Sequence, residues 1–376
     1  MRYDAIVIGC GGVGSAALYH LANRGARVLG IDRFAPGHDR GSSHGQTRII
    51  RKAYFEHPDY VPMLLRSHEL WTELEQAASE ALYHRTGLLQ VGPPDGELLP
   101  GVLDCAATHD LEVETLTGAE VSDRFPAFVV GDGLEAVFEE DAGYLLVEES
   151  VKAHLDQAQR VGAEIRSTES VTGWQSTVDG VTVDTDRNRY DAAKLVVTAG
   201  AWTSQLLGDL DVELQVLRKY QHWFANDDPR YRADHGSPVF MMELATGFFY
   251  GFPQIDELGV KVGDHLGGSV VSDPSAVDRS LDTDDQDRLR QFLGHSLPGV
   301  SGAATQYSVC MYTMSPDEHF IVDRHPAWEN VFFAAGMSGH GFKFTPVLGE
   351  LLADLALDGK TELPYEFLRL DRLAAF

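Results

Sequence analysis

The sequence predicts an α/β (α+β) fold, with a Rossmann-like dinucleotide-binding domain joined to a second, mixed-sheet substrate domain. Three observations carry that prediction. Tyr3 to Ile8 is a short apolar run leading straight into Gly9-Cys10-Gly11-Gly12-Val13-Gly14, a G-x-G-x-x-G turn. Far downstream, Lys194-Leu195-Val196-Val197-Thr198-Ala199-Gly200-Ala201-Trp202 reads as another apolar strand meeting a turn of small residues. Near the other end, Asn330 to Gly359 repeats the order strand, glycine-rich turn, helix. A chain of 376 residues with 44% hydrophobic content can bury a large core and suits two domains.

The first turn is placed by its neighbours. Val13, Ala17, Leu18, Leu21 and Ala22 recur at helical spacing after it, and Gly25 closes that helix. Arg27 to Ile31 forms a second strand ending in Asp32, where a carboxylate would bond a ribose hydroxyl. Gly9 and Gly11 allow the tight turn and close backbone approach, Gly14 completes the motif, and the helix N-terminus faces a pyrophosphate. Motif and spacing do not separate NAD from FAD. Ala163 to Arg166 and Val181 to Asp184 read as further strands before the return at 194–202, whose turn contains Gly200. So late a return to the nucleotide layer is common in two-domain flavoproteins. It predicts a discontinuous cofactor domain of 1–80, 145–215 and 305–376, with 81–144 and 216–304 forming the substrate domain.

Composition narrows the function. The formal net charge is −27, from 57 acidic and 30 basic residues, and only seven of the basic residues are lysine. No basic stripe is visible, which argues against a nucleic-acid partner. The acidic balance suits a high-salt cytoplasm, where self-repulsion is screened. No apolar run is long enough to span a membrane, and no basic leader precedes the first strand. Three cysteines without a C-x-x-C pair argue against a disulfide scaffold or a zinc site, and the expected compartment is a reducing cytoplasm.

Three segments carry candidate chemistry. Gly41-Ser42-Ser43-His44-Gly45-Gln46-Thr47-Arg48-Ile49-Ile50-Arg51 is a small polar loop ending in two arginines, close in sequence to the second strand. Val331 to Ala335 is a buried-strand run, followed by Gly336-Met337-Ser338-Gly339-His340-Gly341-Phe342-Lys343-Phe344. Thr345 is expected as N-cap and Pro346 as the first residue of a helix that Gly359 closes. That helix start and Lys343 together form an anion site. Between them, Gly259 to His265 alternates so that Lys261, Gly263 and His265 share one face, with Val260 and Val262 opposite.

These segments, with Cys310-Met311-Tyr312-Thr313-Met314-Ser315-Pro316-Asp317-Glu318, resemble the monomeric sarcosine oxidase and N-methyltryptophan oxidase family. Its members are flavin-dependent amine oxidases of the D-amino acid oxidase-like superfamily. The polar loop is similar to the family's G-S-x-H-G-x-T-R-x-I-R signature, the later turn to G-x-S-G-H-G-F-K, and the cysteine segment to C-x-Y-x-x-x-x-D-E. The resemblance implies FAD held as an 8α-S-cysteinyl thioether through Cys310, with Ser42, Gly339, Gly341 and Phe342 beside it. It places His44, Thr47 and Arg48 against the flavin, and Arg51 and Lys343 on the substrate carboxylate. Tyr250 and His265 border the substrate with Tyr312 and Met241, and Lys261 activates dioxygen.

The implied reaction takes a hydride equivalent from the N-methyl carbon of a small N-methyl amino acid. Demethylated amino acid, formaldehyde and hydrogen peroxide result, in an enzyme expected to be a monomer. Two other readings stand beside it. A nicotinamide dehydrogenase would use the first turn but leave Cys310 and Lys343 unexplained. A flavoprotein acting on another secondary amino acid, pipecolate- or proline-like, could pass electrons to a partner instead. The chain departs from the family at Ser43, Gln46 and Lys52-Ala53-Tyr54-Phe55-Glu56, which bears on substrate size.

Overall fold

The computed structural model describes residues 2–375. Its first sheet has a parallel centre in the order Glu164–Arg166, Val28–Ile31, Tyr3–Ile8, Arg189–Val197, Val331–Ala335. Strand alternation sends Ala5 and Val7 into the core on one side and Ile6 and Ile8 into the core on the other. Antiparallel strands Gly180–Thr185 and Val171–Thr177 extend one part of it, and Ile321–Arg324 pairs with Val331–Ala335. The Val171–Thr177 strand has no counterpart in the sequence reading. Its residues are mostly half-buried or exposed, so its apolar signal is weak.

The helix after the first turn, Gly12–Asn23, packs against Val147–Arg160 and Thr345–Asp358 on one face of this sheet. Gly349 makes the closer crossing possible, since a Cβ there would stand 2.6 Å from Ala16. Thr345 was expected to cap its helix, and it does not. The 3-10 turn Phe342–Phe344 runs directly into the helix, so Thr345 is already helical and its buried Oγ1 has no partner. Pro346 lies in the first turn, and Gly359 ends the helix at φ +72°.

A second, nine-stranded sheet runs in the order Ser269–Val270, Gln215–Phe224, Val260–Asp264, Gly247–Phe252, Val239–Leu244, Leu88–Gly92, Glu135–Glu139, Glu114–Thr117. Ala304–Met314 lies along the free side of Gln215–Phe224, so the strand carrying Cys310 belongs to this sheet. One face is covered by the helix Thr283–Ser296, with Phe292 stacked on Phe249 at 4.3 Å. On the other face Met241 and Tyr250 stand opposite each other, and Gly263 follows Tyr250 in register. A small third sheet pairs Thr47–Ile50 and Tyr83–Arg85 with Gly143–Leu146, which gives the polar loop a rigid end. Among the described residues no helix is long and apolar enough to cross a membrane.

Candidate active site

A single elongated cleft begins at the glycine turn and reaches Cys310, enclosing about 1570 Å³ that is open in part to solvent. Gly9, Gly11, Asp32, Ser42, Gly200 and Cys310 line it, as do Arg48, Tyr312, Gly339, Gly341 and Phe342. Gly14 lies beneath. A Cβ there would come within 1.7 Å of the Gly9 carbonyl oxygen, so its role is the close crossing of helix and strand.

The cleft fits a dinucleotide. The first helix has no acid in its first turn and no cap from its own N-cap residue, Gly11; only Gly12 N meets a side chain, Ser43 Oγ at 3.1 Å, so much of its positive end is left to an anion. Gly11 keeps that approach open, because a Cβ would meet only Ser43 Oγ, at 3.8 Å. Asp32 spends one lone pair of each oxygen on backbone, accepting from Cys10 N at 2.7 Å and Phe34 N at 2.8 Å. Those bonds fix the carboxylate at the cleft wall with capacity to spare.

At the far end the polar loop, the second sheet and the later glycine turn converge. Arg48 donates to the carbonyls of Thr47 and Ser42, at 2.8 and 2.9 Å, and its Nη2 lies 3.5 Å from Cys310 Sγ. With the Gln221 amide turned so that its oxygen faces Arg48, the orientation that pairs donors with acceptors, that oxygen accepts from both terminal nitrogens, at 3.0 and 3.1 Å. His44 is buried, with Nδ1 3.3 Å from Ser308 Oγ and Nε2 lacking any partner. Burial, then Arg48, pushes it down to about 3, so the ring is neutral. A buried nitrogen without a partner marks a place where a further polar group fits.

Lys261 is 1% exposed and donates to the Gly45 and Thr47 carbonyls and to Thr47 Oγ1. Its ammonium stands 4.7 Å from the Phe252 ring centre and 5.3 Å from that of Trp223. Burial, reinforced by Arg48, draws it well below the ordinary lysine range. The carbonyl cradle is itself fixed: Glu148 accepts from Gly45 N at 2.6 Å and Gln46 N at 3.0 Å. Gln46, at φ +73°, bonds Trp223 Nε1 and Asp256.

The other cationic pair meets at Tyr54. Arg51 and Lys343 lie 4.6 and 5.0 Å from the centre of that ring, and Lys343 Nζ is 2.8 Å from the His340 carbonyl. Burial and then Arg51 lower Lys343 to about 7. Arg51 is not free. Its Nη2 bonds Glu56 at 2.6 Å and its Nη1 lies 3.2 Å from Met241 Sδ, while Nε is buried without a partner. Burial would raise the Glu56 carboxyl, but Arg51 holds it at about 2. The cluster of Arg51 and Lys343 therefore includes a carboxylate, that of Glu56.

Tyr250 lies across Gly263, where a Cβ would meet its ring at 2.7 Å. His265 stands 5.8 Å from the Tyr312 ring and is lowered to about 4 by burial. Tyr312 in turn covers Gly339. Sequence reasoning missed Glu56, Glu148, Gln221, Trp223 and Lys219. For the strand residues a signal existed: 219, 221 and 223 alternate onto one face of the strand Gln215–Phe224, so their polar groups share one side.

The FAD-dependent oxidoreductase family profile matches residues 4–355. The monomeric sarcosine oxidase of Streptomyces avermitilis is 43% identical over 381 residues, covering 99% of this chain and 98% of its own. The N-methyl-L-tryptophan oxidase of Yersinia pestis is 41% identical over 362 residues, covering 95% and 96%. Among solved structures, NikD, an unusual amino acid oxidase essential for nikkomycin biosynthesis, superposes with a TM-score of 0.87 at 27% identity, covering 98% and 97%.

Proposed function

Because the chain belongs to the FAD-dependent oxidoreductase family, alongside the monomeric sarcosine and N-methyltryptophan oxidases, we propose that it oxidises small N-methyl amino acids with dioxygen. The products are the demethylated amino acid, formaldehyde and hydrogen peroxide. One observation carries the reading: Arg51 and Lys343, from opposite ends of the chain, bracket one aromatic ring beside Met241. Two buried cations so placed, one with an unused N–H, form a site for a carboxylate.

FAD, when bound, would supply the two-electron acceptor for the N-methyl C–H bond and the means of reducing dioxygen. The side chains do the rest. Arg51 and Lys343 orient the carboxylate, and Tyr250, His265 and Tyr312 wall the amine and methyl group. Nearby positive charge disfavours an ammonium, so the substrate nitrogen keeps the lone pair that oxidation requires. Arg48, His44 and Thr47 lie along the cofactor. Lys261, a buried lysine whose charge its surroundings disfavour, stabilises the negative charge dioxygen acquires beside it.

Cys310 is proposed as the covalent attachment point. Its sulfur lines the cleft, 3.5 Å from the Arg48 guanidinium. The cofactor domain is proposed to comprise 1–80, 145–215 and 305–376 and the substrate domain 81–144 and 216–304, with the boundary crossing the strand that holds Cys310. The test is a panel of sarcosine, N-methyltryptophan and pipecolate, followed by peroxide and formaldehyde release from purified protein. A colourless protein, or peroxide from none of the N-methyl amino acids, overturns the reading.

A further inference from the structure

Lys219 is a buried lysine that the chemistry above does not use. It stands opposite Cys310 in the pairing of Gln215–Phe224 with Ala304–Met314 and is 5% exposed. Its Nζ donates to three successive carbonyls: His265 at 3.1 Å, Leu266 at 2.6 Å and Gly267 at 3.0 Å. An ammonium has three N–H donors and no lone pair, so three acceptors saturate it. The carbonyls of 265–267 converge on one point, where their dipoles would repel one another without a cation between them. The turn continues through Gly267 and Gly268, at φ +68° and +113°, and Asp264 Oδ1 accepts from Leu266 N at 2.9 Å.

What this turn fixes is His265. The residue leaves the strand Val260–Asp264 with its N–H on the Phe248 carbonyl at 2.7 Å and its ring facing Tyr312. The Lys219 ammonium also lies over the Tyr312 ring, 5.3 Å from its centre. One side chain therefore touches both the backbone of His265 and the ring of Tyr312. We propose that Lys219 is a positioning residue of the substrate site, gathering the 265–267 carbonyls so that His265 and Tyr312 stand at fixed separation around the substrate. This inference rests on the functional reading given above.

Its charge can be followed in solution. Burial lowers Lys219 to about 8, opposed by Asp264 and Asp285 and aided by Arg288, with Cys310 also facing it. Asp264 and Asp285 are both paired with Arg288, at 3.1 and 2.6 Å. As pH rises through about 8 the neutral amine keeps two donors, so one carbonyl loses its partner and a lone pair faces the others. Arginine at 219 would stay charged throughout.

The experiment uses the holoenzyme and the carboxylate ligand methylthioacetate, read from flavin absorbance in wild type, Lys219→Met and Lys219→Arg. Lys219→Met should weaken binding about tenfold and raise KM likewise, with reoxidation of the reduced enzyme by dioxygen unchanged. The ratio of wild-type to Lys219→Arg Kd should be flat below pH 7 and climb through about 8; taking the ratio cancels titration elsewhere in the pocket. Amide exchange over 264–271 should quicken in Lys219→Met and not in Lys219→Arg. If Lys219→Met does not fold, the wild-type and Lys219→Arg series still decides. A flat ratio across pH 7–9.5, or unchanged binding in Lys219→Met, overturns the role of Lys219. An active site reading that is itself wrong shows separately, as a wild type without flavin or without peroxide release.

Discussion

Glu56→Gln should make the site bind carboxylates more tightly, which is the opposite of what losing an active-site residue usually does. In the structure Glu56 Oε2 accepts from Arg51 Nη2 at 2.6 Å, and the other contacts of the guanidinium are the soft sulfur of Met241 and the rings of Tyr54 and Phe55. A substrate carboxylate must displace Glu56 or share the guanidinium with it. The bond at stake is charge-assisted, worth ~1.5–3 kcal/mol, and a neutral glutamine retains roughly 0.5–1.5 kcal/mol of it. The difference, about 1–1.5 kcal/mol, is roughly a tenfold gain in affinity. Titration of methylthioacetate against flavin absorbance at pH 6, where Lys343 is charged, measures it directly. Unchanged or weaker binding in Glu56→Gln would refute the competition. A second consequence follows from linkage. Glu56 is depressed from 4.5 to about 2, so its stabilisation is present above the ordinary carboxylate pKa and is lost as pH falls toward 2. Glu56→Gln should therefore flatten the acid limb of the stability curve followed by denaturant melts.

Cys310→Ser should release all flavin on acid precipitation while wild type retains it; a fluorescent band in the denatured mutant would remove the attachment from Cys310. Lys261→Met should slow reoxidation by dioxygen by orders of magnitude with a smaller effect on anaerobic reduction, and equal losses in both half-reactions would make Lys261 a general substrate-site residue. Lys343 is charged below about 7, so carboxylate affinity should fall as pH rises through that value. Lys343→Met should be weaker and lack that step; a step that persists in the variant assigns the titration to another group.

Local features were the legible ones. The strand, turn and helix around Gly9–Gly14, and the strand and glycine turn ending at Lys343, each lie in one continuous segment whose pattern states its own geometry. Thr345 shows where such local reading stops: a hydroxyl before Pro346 looks like a cap, yet the backbone had begun to turn three residues earlier. Alternation put Lys219 on a face with Gln221 and Trp223, but what Lys219 and Glu148 meet was illegible for a different reason. Glu148 matters because a helix starting at Val147 sets its carboxylate on the amides of Gly45 and Gln46, a hundred residues earlier in the chain. Lys219 matters because its strand neighbours the turn after Asp264 and the strand of Cys310 at once. Such roles come from strand pairing between remote segments, and spacing along the chain contains no record of them.

The electrostatics of the pocket explain why these remote supports are needed. Arg51, Lys261 and Lys343 lie away from bulk solvent and Arg48 is half-buried on the cleft wall, with Glu56 as the carboxylate bonded to one of them. Burying an ion unpaired costs several kcal/mol, and a lysine can escape that cost by giving up its proton while an arginine cannot. The two lysines are accordingly the groups drawn down, while Arg48 rests on the Thr47 and Ser42 carbonyls and Arg51 on the Glu56 carboxylate. A site in this condition gains from any anion that enters it. A substrate carboxylate favours the protonated form of Lys343, and negative charge arriving at the far wall is stabilised by Lys261. The same unfavourable burial that makes each lysine weak at rest thus makes it respond to the charge its position is built to meet.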